Sequence, residues 1–318
     1  MKIKKILAAV TAIALGASLC GCSGGETADS ADKPLIITTI FPAYDFARQV
    51  FGDTAEVRML LKPGQESHSY DPSAKDIVEI NGCDLFVYNG GESDQWVESV
   101  LQAAPDVETF RMTDAVSLLD EEHSEGMQED DHDHDHADGD EEEYDEHVWT
   151  SPDNAAAIVR ALGSRAKALF PDSAAELDSN TESYAAQIEE IDGRLKALLD
   201  GEQRYFIFGD RFPLLYFFKH YGLNYYAAFP GCGSETEPSA QTVTFLLNKL
   251  GQPDAVKAVF CIELSGRKLA DVLAEDSGLD VVEFHSCHNI TADDFAAGET
   301  YVSLMERNLQ TLEKVLVD

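Results

Sequence analysis

SAAELDSNTESYAAQIEEIDGRLKALL, residues 173–199, holds no proline and one glycine, and its apolar positions fall at Leu177, Tyr184, Ile188, Ile191, Leu195 and Leu198. Steps of three, four and seven predict one continuous amphipathic helix. At 1.5 Å per residue it would run about 40 Å, long enough to serve two domains as a common spine. Outward on both sides the pattern alternates between short apolar runs and helical ones. Strands are expected at residues 35–41, 57–61 and 84–88, with helices through Phe46 and Val50, over 73–80, where Ser73 is the N-cap, and around Trp96, Val97 and Val100. Beyond the spine the plan repeats, with strands at 204–208, 223–229, 258–264 and 281–284 and helices through Tyr216 and Phe217, at 239–250, 269–274 and 292–315. Strand and helix in alternation imply parallel sheets covered by helices. The expected fold is therefore α/β, two similar parallel-sheet lobes (34–172 and 201–318) joined by a long rigid helix (173–200), with a cleft between them.

The length of 318 residues agrees with two domains. The formal charge is −36, from 59 acidic and 23 basic residues, which excludes non-specific binding to phosphate backbones. Residues 120–146 carry 16 of the acidic side chains, four histidines and no Lys or Arg, so the rest of the chain has a net charge of −20. Alternation of His132, His134 and His136 with aspartates offers imidazoles beside carboxylates without the turns that fix one geometry, so weak and variable binding of metal ions is expected there.

Lys2, Lys4 and Lys5 precede an apolar run at 6–19 that is too short to span a bilayer, the mark of an export signal. The run ends in Leu19-Cys20-Gly21-Cys22 and continues into a Ser/Gly-rich stretch to residue 33. This resembles a bacterial lipoprotein signal of residues 1–21, with lipid on Cys22 and a flexible tether at 22–33. Export places the remaining cysteines in an oxidising compartment. Cys83 and Cys261 read as buried thiols, whereas Cys232 and Cys287, each just after a second-lobe strand, are expected to pair as a disulfide.

In open α/β sheets the loops after the strands face the ligand crevice. Four such points carry polar groups: His68, His147, Asp210 in Gly209-Asp210-Arg211, and His285 in Phe284-His285-Ser286-Cys287-His288. Imidazoles and carboxylates converging from several loops are what a buried divalent ion requires.

The run 64–72, the segment Gly90-Gly91-Glu92-Ser93-Asp94-Gln95-Trp96, the His/Asp-rich loop leading to Glu146-His147-Val148-Trp149-Thr150-Ser151-Pro152, and the central helix together resemble the zinc/manganese solute-binding proteins of bacterial ABC transporters. The resemblance covers nearly all of the mature chain. It implies a lipoprotein, monomeric and not an enzyme, that captures a metal ion outside the membrane and passes it to a permease. The second lobe departs from the family pattern, which usually sets a His or Glu ahead of the helix at Tyr216-Phe217 and an acidic residue after the last strand. Here Asp210 and His285 stand instead. With His68 and His147 they form three imidazoles and one carboxylate, a set that suits tetrahedral Zn2+ better than Mn2+. Glu263, Glu235 and His288 are substitutes for the second-lobe positions. A manganese-binding homologue, a surface adhesin and a zinc hydrolase with Glu263 as base are the competing functions; no HExxH, Gly-x-Ser-x-Gly or phosphate-binding Gly loop supports the last.

Overall fold

The computed structural model describes residues 33–65, 67, 70–128, 144–231 and 237–316. The signal segment with Cys22, His68, the acidic-loop residues His132, His134 and His136, Glu235 and Cys232 lie outside them. Among the described residues, no helix is long and apolar enough to cross a membrane.

Two sheets form. The first contains β1 (Leu35–Thr38), β2 (Glu56–Met59), β3 (Leu85–Tyr88) and β4 (Thr109–Arg111), all parallel in the order β2-β1-β3-β4. Its helices are α1 (Phe41–Phe51), α2 (Ala74–Asn81) and α3 (Gln95–Ala103), then α4 (Pro152–Leu169), which leads to the spine α5 (Ala174–Leu199), 26 residues long. The second sheet contains β5 (Tyr205–Phe212), β6 (Asn224–Pro230), β7 (Val259–Cys261) and β8 (Val281–Glu283), parallel in the order β6-β5-β7-β8. The helices α6 (Leu215–Tyr221), α7 (Ala240–Leu250), α8 (Lys268–Ser277), α9 (Ala292–Ala297) and α10 (Tyr301–Leu316) accompany it. The two sheets therefore share one strand order, as the repeated pattern predicts.

Burial follows from the layering. One apolar cluster runs from Ile36, Leu85 and Val87 of the first sheet through Leu177, Ile188 and Leu195 of α5 to Phe206, Phe208 and Phe260 of the second. Because the apolar face of the spine belongs to the same cluster as residues of both sheets, the hydrophobic term that folds each lobe also joins them. Separate clusters seat α2 and α3 on the outer face of the first sheet and α7 and α8 on that of the second.

Three expectations need correction. The strand at 204–208 extends to Phe212, with a register shift between Phe208 and Arg211. The last helix is two, because Gly298 takes the left-handed conformation (φ 79°) after α9 and turns the chain before α10. Cys287 is a free thiol, fully buried in the main core, so the expected bond to Cys232 is absent at Cys287; its side chain points inward, away from the loop surface. Cys83 and Cys261 are free thiols, Cys261 buried as expected and Cys83 only half-buried.

Candidate metal centre

His147 sits on the short helical turn Val148–Thr150 that precedes α4. Its ring is fully buried. Asp145 fixes it, one carboxylate oxygen accepting both the His147 backbone N–H (2.7 Å) and the ring Nδ1–H (3.0 Å). A proton held at Nδ1 leaves the lone pair at Nε2, and that atom has no hydrogen-bond partner among the described residues. A carboxylate behind an imidazole whose far nitrogen is open is the usual support of a metal-ligating histidine. Burial opposes a charge on His147, but Asp145 and then Glu146 outweigh it and hold its pKa above the ordinary histidine value.

The Gly90-Gly91-Glu92-Ser93-Asp94 segment turns out to be the seat of this loop. Ser93 donates its N–H and its hydroxyl to the Glu146 carboxylate, each at 3.0 Å, and the Asn89 side-chain amide donates to the Glu146 carbonyl. A side chain at Gly91 would strike Glu146, its Cβ falling 2.0 Å from the carboxylate, so glycine is needed there for space. Asp94 closes the turn by accepting from the N–H groups of Asn89 and Gly90; burial still pushes its carboxyl up to about 6.

Beside His147 lies a cavity of about 260 Å³ lined by Gly64, Gln65, Ser67, Arg211, Pro213, Gly231, Ile262, Glu263, Leu264, Ser286, His288 and Asn289. These residues belong to loops or ends of β2, β5, β6, β7 and β8, all on the C-terminal side of parallel strands, where ligands bind in this class of fold. A Cβ on Gly231 would come 3.2 Å from Cε1 of His147, so the Cε1 edge of the ring faces this wall. The His288 ring stands 5.3 Å from that of His147, at 72°, and its Nε2 shares a hydrogen bond with the Ser67 hydroxyl (2.9 Å). Trp149 donates from its indole to the Ser286 carbonyl (3.0 Å), linking the His147 loop to the same turn.

Asp210 and His285 do not line this cavity. The Asp210 carboxylate is occupied by the backbone N–H groups of Arg211 (2.8 Å) and Ile262 (3.0 Å) and borders a different cavity with Ser265, Arg267 and Leu269. Burial raises its pKa. The His285 Nδ1 accepts the Cys287 N–H (2.9 Å), and the ring lines a third cavity with Arg307, Asn308 and Lys314. Of the second-lobe expectations, Glu263 and His288 are the residues found at the cavity. Among the described residues no group of three His, Cys, Asp or Glu side chains is gathered as a complete metal shell.

The family of the periplasmic zinc-uptake complex component A matches residues 36–315. The chain belongs to this family. It is 32% identical over 316 residues, 98% of its length, to the zinc-binding lipoprotein AdcA of Streptococcus pneumoniae R6, of which it spans only 60%. It is 27% identical over 315 residues to the high-affinity zinc uptake system protein ZnuA of Bacillus subtilis 168, covering 97% of this chain and 96% of that one. Among solved structures, the Zn(II)-bound ZnuA-like domain of S. pneumoniae AdcA superposes with a TM-score of 0.73 at 28% identity, covering 89% of this chain and 98% of the domain.

Proposed function

We propose that the protein is the extracytoplasmic zinc-capturing component of an ABC importer, tethered to the membrane through lipid on Cys22 and delivering its ion, as a monomer, to a permease. The observation that carries this reading is the buried His147 Nε2, its lone pair fixed by Asp145 and its ring set against a polar cavity at the strand ends. Family membership and the names of the AdcA and ZnuA relatives support zinc as the cargo. Imidazole donors favour zinc over manganese, which prefers oxygen ligands. His68, next in sequence to the cavity residue Ser67, is the first-lobe companion ligand the family motif supplies. No step of bond making or breaking is required of any residue, so the function is binding and release.

Competition with a chromophoric chelator tests the proposal. The purified mature protein is expected to bind one zinc ion tightly, and His147→Ala to weaken that binding at least tenfold, about 1.4 kcal/mol. Wild-type protein that takes up no zinc, or a His147→Ala variant of unchanged affinity, overturns it.

A further inference from the structure

We infer that the second lobe's ligand to the ion is His288, carried on a turn that Glu263 holds in shape, while Asp210 and His285 are structural. The inference rests on the zinc-binding reading above and deepens it. Two imidazoles on one tetrahedral zinc, each with Zn–N near 2.0–2.1 Å, have ring centres about 3.2 Å from the ion and so about 5.2 Å from each other. His147 and His288 are 5.3 Å apart, close to that value, and strongly inclined.

The turn that presents His288 is already built. Both oxygens of Glu263 are engaged by Ser286, one by its N–H and one by its hydroxyl, each at 2.7 Å. The Ser286 hydroxyl oxygen in turn accepts the His288 N–H at 3.2 Å. Cys287 takes a positive φ of 60°, and its N–H is spent on His285. Asn289 accepts the Gly64 N–H (3.2 Å) and donates to the Gln65 carbonyl, so the turn is also tied to the loop after β2. A ligand held this way loses little freedom on binding. Its hydrogen bond to the Ser67 hydroxyl is on the ring nitrogen that the ion would take, so binding exchanges that bond for the metal.

The rejected pair fails on chemistry. A backbone N–H on Nδ1 of His285 obliges its own proton to sit at Nε2, so neither nitrogen has a lone pair to give without rebuilding the 285–287 turn. Asp210 is held by the amides of Arg211 and Ile262 on the wall of a different cavity from the one that His288 lines.

The test compares zinc affinities, with the Co(II) absorption spectrum as a second readout of the ligand set. Thermal melting of the metal-free variants monitors folding. His288→Ala is expected to lose at least tenfold in affinity and to shift the cobalt d–d bands while melting close to wild type. His285→Gln and Asp210→Asn, if folded, should stay within about threefold. The inference falls if His288→Ala binds as wild type while His147→Ala does not, or if His285→Gln or Asp210→Asn loses the ion and His288→Ala keeps it. Failure of the wild-type protein itself to bind zinc would instead count against the functional reading.

Discussion

Asp145 is where a single atom decides the chemistry at His147, since the same oxygen holds both the backbone and the ring nitrogen. Asp145→Ala frees the ring to turn and to place its proton on Nε2, and the expected outcome is a ten- to hundredfold loss of zinc affinity by chelator competition with the fold retained. Gly231 offers a steric counterpart. A Cβ there already meets Cε1 of His147 and the Phe212 carbonyl at 3.2 Å, so Gly231→Val should weaken zinc binding without removing any ligand; unchanged affinity would show that this wall yields. At this scale the sequence pointed to the loops around the cavity, whereas the side chains of Asp210 and His285 border other cavities. Strand-end spacing marks a loop but not which way each side chain points. After β8 the Cys287 side chain is buried in the core and His285 borders another cavity, while Ser286 and His288 line the cavity beside His147. At β5 the register shift between Phe208 and Arg211 does the same, setting Arg211 on the cavity and Asp210 on the far side.

The spine helix was the most legible element because its apolar period spans seven turns, and its observed bounds, Ala174–Leu199, fall within the predicted range. Helix α4 was not predicted, although Ser151 caps it and Pro152 opens it; its small alanines and Gly163 weaken the apolar stripe by which helices are recognised. Those small residues permit a close crossing with α5. A Cβ at Gly163 would stand 2.2 Å from the Thr181 hydroxyl, so Gly163→Val should destabilise the protein by about 1–3 kcal/mol in urea unfolding. A second link on the spine is Asp192, which accepts from His220 (2.8 Å) and Tyr221 (2.9 Å) of α6 and the adjoining Lys196 (2.6 Å). Burial alone would raise its carboxyl, but these partners bring it down from 3.8 to about 2. Because the folded pKa lies below the unfolded one, the stabilisation is present above about pH 4 and is lost as pH falls toward 2. Asp192→Ala should therefore lower stability by about 1–2 kcal/mol at neutral pH, and the gap from wild type should close near pH 2. A gap that persists at that pH would assign the effect to packing.

Across the whole molecule the acidic segment is not one unit. Its first part is docked on the second lobe: Glu122 pairs with Lys219 (2.7 Å), Gln128 donates its N–H to the Ala228 carbonyl at the end of β6 (2.8 Å), and its side-chain oxygen accepts the Ser239 N–H (2.9 Å) at the cap of α7. Gly126 lies so close to Phe245 that a Cβ would overlap its ring. At the other end Asp120 and Tyr144 form an antiparallel bridge, and the Asp145 N–H donates to the Leu119 carbonyl (2.9 Å), which anchors the strand of chain entering His147. Removing the whole of 121–143 would thus strip a strap from the second lobe along with the histidines. The informative deletion replaces only 129–143, which carries ten carboxylates with His132, His134 and His136, by a short Gly/Ser linker. Since the tight site is assigned to His147 and His288, its affinity should be unchanged, whereas weakly held zinc should be lost. The association rate at low salt should fall as well, because ten negative charges no longer draw the cation toward the protein. Loss of the tight site in this variant, with melting otherwise preserved, would place a principal ligand inside 129–143 and overturn the division of labour between buried and acidic zinc sites.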